Sequence, residues 1–153
     1  MRTVAVLCAV VGHDLSVKGY PVGEPIRDAG HLRLLDRMRG RTHPAFRWTA
    51  EAPMPIAGDL RAWDARLDGP VSIGVEAETR LSDVQQLQRR IALKQRDSGI
   101  DRVVLLVAST HHNREVVAAA IATLRQTLPL DTRETLWALG TGRDPGANGL
   151  VIL

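Results

Sequence analysis

Lysine, cysteine and aromatic residues are scarce in this 153-residue chain, and each shortage narrows what it can be. Aromatic side chains make up 3% of the sequence, too few for a platform on which successive bases of a single strand would stack. A single cysteine, Cys8, excludes an internal disulfide and fits a reducing, cytoplasmic compartment, where it reads as a small buried hydrophobe. No apolar run approaches the roughly 20 residues of a membrane span. The first such run, Val4 to Val11, follows Arg2 in the order of a signal peptide, but no small-x-small cleavage site comes after it and His13-Asp14 arrive too soon. Of the 20 basic residues only Lys18 and Lys94 are lysines, so the remaining 18 are arginines. Arginine favours bidentate contact with phosphate or carboxylate. Nucleic-acid contact and a GC-rich genome both account for the bias, and the net charge of +3 is modest.

What is present fits one domain. An apolar content of 44% over 153 residues supports a core of its own, with roughly two-thirds of the unfolded surface buried. The most informative pattern is a set of carboxylates on two consecutive expected strands: Asp59 in residues 58–64 and Glu76 with Glu78 in residues 71–78. Side chains alternate along a strand, so Glu76 and Glu78 leave the same face, about 7 Å apart. If the Asp59 strand pairs alongside, the three carboxylates converge, a donor set that suits a hard cation such as Mg²⁺. Glutamate is depleted in strands, which argues against a merely wet face, the competing reading.

Asp on one strand, a hairpin, and then Val75-Glu76-Ala77-Glu78-Thr79-Arg80 resembles the PD-(D/E)XK nuclease superfamily, whose core is a helix, three antiparallel strands, a helix and another strand. The resemblance covers roughly residues 28 to 110. It implies that Asp59 and Glu76 are metal carboxylates, that the cofactor is Mg²⁺ or Mn²⁺, and that the substrate is a phosphodiester in DNA. Glu78 stands in the lysine slot of the Glu-x-Lys strand, where it acts as a further metal ligand or base, or marks lost activity. The same resemblance directs attention to a polar residue or migrated lysine on the following helix; Gln88 and Lys94 are the candidates, against a plain structural role for both. Arg61, Arg80 and Arg89 are the expected phosphate contacts.

The rest of the chain organises around these strands. Residues 1–20 form an expected helix and strand stub, and residues 21–153 the nuclease-like domain. Val4-Ala5-x-Leu7, Gly12 and Asp14-Leu15-Ser16-Val17 resemble the last helix and exit strand of an Xre-type helix-turn-helix regulator, whose recognition helix would lie upstream of Met1. After a Pro/Gly connector, Pro21 to Pro25, a helix is expected over 29–38 with Asp28 as N-cap and Leu32, Leu35 and Met38 buried. Arg33, Arg37, Arg39, Arg41 and His43 gather at its far end, as a solvated terminus or a phosphate contact. Residues 46–51 alternate as a half-buried strand stopped by Pro53 and Pro55, and Asp68-Gly69 signals a hairpin. A helix over 82–98 has Ser82 as N-cap, Val84, Leu87 and Ile91 inward, and Arg89, Arg90 and Arg96 outward. Val103 to Ala108 reads as a central strand covered on both faces. A helix over 113–126, the apolar stretch Leu136 to Leu139, a glycine-rich turn and a strand over 150–153 complete an α/β, restriction-endonuclease-like fold with a mixed sheet of four to five strands flanked by helices.

Other chemistries lack their residues. His111-His112 has no cysteine or spaced partner for zinc, Gly140-x-Gly142-x-x-x-Gly146 is not a dinucleotide fingerprint, and no Gly-x-Ser-x-Gly surrounds Ser72 or Ser109. Two functions therefore stand: a metal-dependent nuclease acting on DNA, or an inactive effector or homodimerisation domain of a helix-turn-helix transcriptional regulator. Neither involves a membrane.

Overall fold

A computed structural model describes residues 29–153; the stub expected over residues 1–20, the connector at 21–25 and the Asp28 cap lie outside the described residues. The elements run α1 (Ala29–Arg39), β1 (Arg47–Pro53), β2 (Ala62–Asp68), β3 (Ser72–Glu78), α2 (Val84–Ser98), β4 (Arg102–Val107), α3 (His111–Thr127), α4 (Thr132–Gly140) and β5 (Gly149–Ile152). They build one five-stranded sheet in the spatial order β1-β2-β3-β4-β5. The first three strands form an antiparallel meander, and β4 and β5 add in parallel, each after a helical crossover. The fold is thus α/β, with a mixed sheet flanked by helices. Among the described residues no helix is long and apolar enough to cross a membrane.

Two cores sandwich the sheet. On one face Leu34, Leu35 and Met38 of α1 and Leu139 of α4 pack against Ala65, Leu67, Ile73, Val75, Val104 and Val151. On the other, Leu87 and Ile91 of α2 and Val117 and Leu124 of α3 pack against Trp63, Val103, Leu105 and Leu150. Residues Val103 to Val107 are buried without interruption, which is what a strand covered on both faces requires.

Several local expectations shift. Leu32 is 52% exposed, because Leu34, Leu35 and Met38 share the inward stripe. Asp83, not Ser82, caps α2, its carboxylate accepting from the Gln86 amide at 2.8 Å. The stretch Leu136 to Leu139 belongs to α4, opened by a reciprocal capping box between Asp131 and Glu134. β1 extends through Pro53, which is tolerated because β1 is, among the described residues, an edge of the sheet.

The largest shift concerns β2. It begins at Ala62, so Gly58 and Asp59 precede it in a turn and Asp64 lies within the strand. Regular alternation would put Trp63 and Ala65 on one face, yet they join different cores. The change falls at Asp64, opposite Glu51, whose φ of 50° is in the left-handed region and breaks the pleat of β1. The β2–β3 ladder likewise runs from Asp68↔Ser72 to Ala65↔Val75 and stops. Beyond it the Asp64 carboxylate accepts from the Ala77 amide at 2.8 Å. The two strands part where their carboxylates stand.

Candidate active site

Glu76 and Glu78 occupy the last three positions of β3 with Ala77 between them, and alternation sends Ala77 into the α1 core while the two glutamates turn towards α2. Glu76 is 4% exposed, a depth at which a carboxylate must be paired. Both its oxygens are. Lys94 Nζ donates to Oε2 at 2.7 Å and Arg90 Nε donates to Oε1 at 3.0 Å. Lys94, itself 6% exposed, also donates to the Ala62 carbonyl at 2.8 Å and lies 5.4 Å from the centre of the Trp63 ring. Arg90 and Lys94 sit four residues apart on α2 and so point from one helix face.

Glu78 accepts from Arg90 Nη2 and is only partly shielded from solvent. Burial is the main reason its carboxyl is pushed above the ordinary value; the Arg90 charge opposes that shift, and the charges of Glu76 and Asp64 add to it. Asp64 is therefore an electrostatic neighbour of Glu78. Its Oδ1 is 3.6 Å from His31 Nε2 on α1, the helix that packs on the face of the sheet opposite α2. Arg90 is held above its usual range by Glu76 and Glu78, against an opposing burial effect.

The site expected from sequence is assembled only in part. Asp59 does not join Glu76 and Glu78. It accepts from Arg61 through both carboxylate oxygens, Nη2 to Oδ2 at 2.7 Å, and Arg61 bridges on to Asp97 near the end of α2 at 2.7 Å. That contact holds the Asp59 carboxyl below its ordinary value and leaves Arg61 bound to carboxylates instead of open to phosphate. Gln88 faces α3, donating to Thr127 Oγ1 at 2.7 Å and to the Thr123 carbonyl, away from β3. Lys94 does reach Glu76. Arg80 and Arg89 are exposed. Among the described residues, no three or more His, Cys, Asp and Glu side chains are grouped closely enough to hold one metal ion as they stand.

Two participants escaped sequence reading. Asp64 was detectable from the hairpin: with Asp68-Gly69 at the turn, the residue facing Glu76 is four positions before Asp68, and 64 paired with 76 continues the register of 65 with 75. Arg90, expected to fan outward, instead turns to β3; nothing in a one-helix periodicity distinguishes the border arginine that finds a carboxylate from its neighbour Arg89.

The loops beside the site are fixed by Asn113. Completely buried, it accepts from the Leu81 amide at 2.8 Å and donates to the carbonyls of Thr79 at 3.0 Å and Ala108 at 2.8 Å, tying the exits of β3 and β4 together. Comparison with protein-family models, curated proteins and solved structures finds no match to this chain.

Proposed function

We propose that this chain carries a nuclease-like domain of the PD-(D/E)XK kind, acting on phosphodiesters of DNA with Mg²⁺ or Mn²⁺. The observation that carries the reading is Lys94: an amine delivered from α2 to within 2.7 Å of Glu76, on the strand whose own lysine slot holds Glu78. The order helix, three antiparallel strands, helix, strand supports it. In this assignment Asp64 replaces Asp59 as the first carboxylate and Glu76 is the second. Lys94 orients Glu76 and supplies positive charge, and Glu78 is the third carboxylate. One or two carboxylates, with water and substrate phosphate, satisfy a magnesium ion. When bound, that ion would supply a water of lowered pKa and charge beside the phosphate.

The test is metal-dependent cleavage of linear and circular DNA. Glu76→Ala and Asp64→Asn should each lose roughly two or more orders of magnitude, whereas Asp59→Asn should stay near wild type. Cleavage without metal, or unchanged in Glu76→Ala, sinks the assignment. A second reading, an inactive effector or dimerisation domain of a helix-turn-helix regulator, is favoured by Arg90, which closes Glu76 and Glu78 with a protein cation. Folded protein that neither cleaves DNA nor gains thermal stability from Mg²⁺ or Mn²⁺ would remove the nuclease assignment, and a dimer in solution would then favour this second reading.

A further inference from the structure

The segments that follow α1 and α4 meet at one corner of the molecule. The His43 amide donates to the Leu139 carbonyl at 2.9 Å, and a Cβ on Gly140 would lie 3.3 Å from the Arg41 carbonyl oxygen. Four exposed arginines come with them: Arg39 and Arg41 at the end of α1, Arg143 after α4, and Arg133 one turn before Trp137 on α4. Among the described residues none of these four guanidinium groups is ion-paired or hydrogen-bonded, whereas Arg61, Arg90 and Arg102 are committed to carboxylates. Asp144 is held by Arg102 and Glu134 by the Asp131 amide; Asp36, one turn before Arg39, offsets one charge. The same corner carries Trp137, 59% exposed where Trp63 is 1% exposed, with the Arg143 guanidinium 5.4 Å from its ring centre. A chain with five aromatic residues has left its largest kind of ring on the surface. Ala45 packs against Gly69, so the corner lies at the Ser72 end of β3, about 20 Å along the strand from the carboxylates at the other end.

We propose that this corner binds a single-stranded nucleic acid, one base stacking on Trp137 and the neighbouring phosphates pairing with the arginines around it. The site is separate from the carboxylates of β3 and needs no metal, so it stands whether or not the domain cleaves DNA. Unpaired like charges collected at one place repel each other and attract a polyanion. Guanidinium forks match phosphate oxygens two at a time. An indole face beside a guanidinium is the complement of a flat, polarisable base, which an acidic peptide lacks. With one exposed ring the corner takes one base, not a run of stacked ones, which is all that an aromatic content of 3% allows.

The experiment measures fluorescence anisotropy of a labelled 12-nucleotide DNA strand with the full chain in EDTA, over a range of salt concentrations. Trp137→Ala should weaken binding about tenfold or more, with Trp137→Phe retaining most of it. Arg41→Gln/Arg143→Gln should lower the slope of log affinity against log salt by about 1.4, two phosphates' worth for a single strand. A strand of equal length without bases should bind wild type as weakly as the intact strand binds Trp137→Ala. All the substituted side chains are exposed, and equal melting temperatures confirm that the variants fold. No binding in EDTA overturns the proposal, as does binding that the Trp137 and arginine variants leave unchanged. If such binding is weakened by Arg80→Gln/Arg89→Gln instead, the strand lies elsewhere and the nuclease reading is untouched. Tighter binding of poly-glutamate than of the strand overturns it in favour of an acidic protein partner.

Discussion

Replacing Lys94 by methionine removes an ammonium from a position that is 6% exposed and leaves the hydrocarbon volume nearly unchanged, so the effect is electrostatic with little cavity contribution. Glu76, 4% exposed, then loses its 2.7 Å partner, and the Ala62 carbonyl loses its donor. Breaking a buried pair from one side costs about 3–5 kcal/mol. Arg90 still holds Oε1 of Glu76, which sets the expectation at the low end, about 3 kcal/mol. For a chain of this size that is a fall in Tm of roughly 6–12 °C. Urea unfolding should show a lower midpoint at unchanged slope. Glu76→Gln and the double variant Glu76→Gln/Lys94→Met complete a cycle. Because neutralising both partners leaves no unpaired buried charge, the double variant should be less damaged than the two single losses added together, by about 2 kcal/mol. Losses that add to within about 0.5 kcal/mol would show that the two side chains do not interact in the folded protein, and the account of the site would fall.

Two further outcomes follow from neighbouring contacts. Burial raises the Glu78 carboxyl above its ordinary 4.5 in the folded state, with Arg90 opposing and Glu76 and Asp64 assisting, so its contribution to stability is complete below the unfolded value and is lost as pH rises through the folded one; Glu78→Gln should therefore gain on wild type as pH rises from about 4 to about 8, and a Tm difference constant over that range would refute it. A Cβ at Gly74 would lie 2.7 Å from two atoms of the Trp63 ring, which is pinned by Ser98 Oγ at 3.2 Å, so Gly74→Ala should cost about 1–3 kcal/mol in urea unfolding and Gly74→Ala/Trp63→Leu should cost less than the sum of its parts. Stability within about 0.5 kcal/mol of wild type in Gly74→Ala would mean that the ring moves freely.

The elements legible from the sequence were those whose burial is dictated by a short period. Val103 to Val107 has no polar interruption, and Leu87 and Ile91 fall at helical spacing, so both kept their places. β2 begins at Ala62 and not at Gly58, four residues later than the expected strand, and Leu60, almost wholly exposed, lies outside it. The shift leaves Asp59 ahead of the strand and places Asp64 within it. The left-handed Glu51, which flips the pleat opposite Asp64, carries no sequence signal of the kind a glycine gives. Partner choice among arginines was also hidden: Arg61 binds Asp97, 36 residues away, and Arg90 binds Glu76, 14 away, pairings fixed by the tertiary fold alone.

The strands lie side by side in the order in which they are synthesised. A growing chain therefore never has to open a formed pair to insert a later strand, and each new strand meets its neighbour as the current edge of the sheet. The vulnerable moment comes after β4 emerges and before β5 docks. Val103 to Val107 then offers an unpaired, wholly apolar edge with high β propensity and no charge, the profile of a segment that captures another chain. The 41 residues from Ala108 to Asn148 separate β4 from β5, and at about 5–20 residues per second their synthesis leaves that edge open for seconds. Chains shortened before Gly149 should on this basis aggregate even where the first four strands have paired.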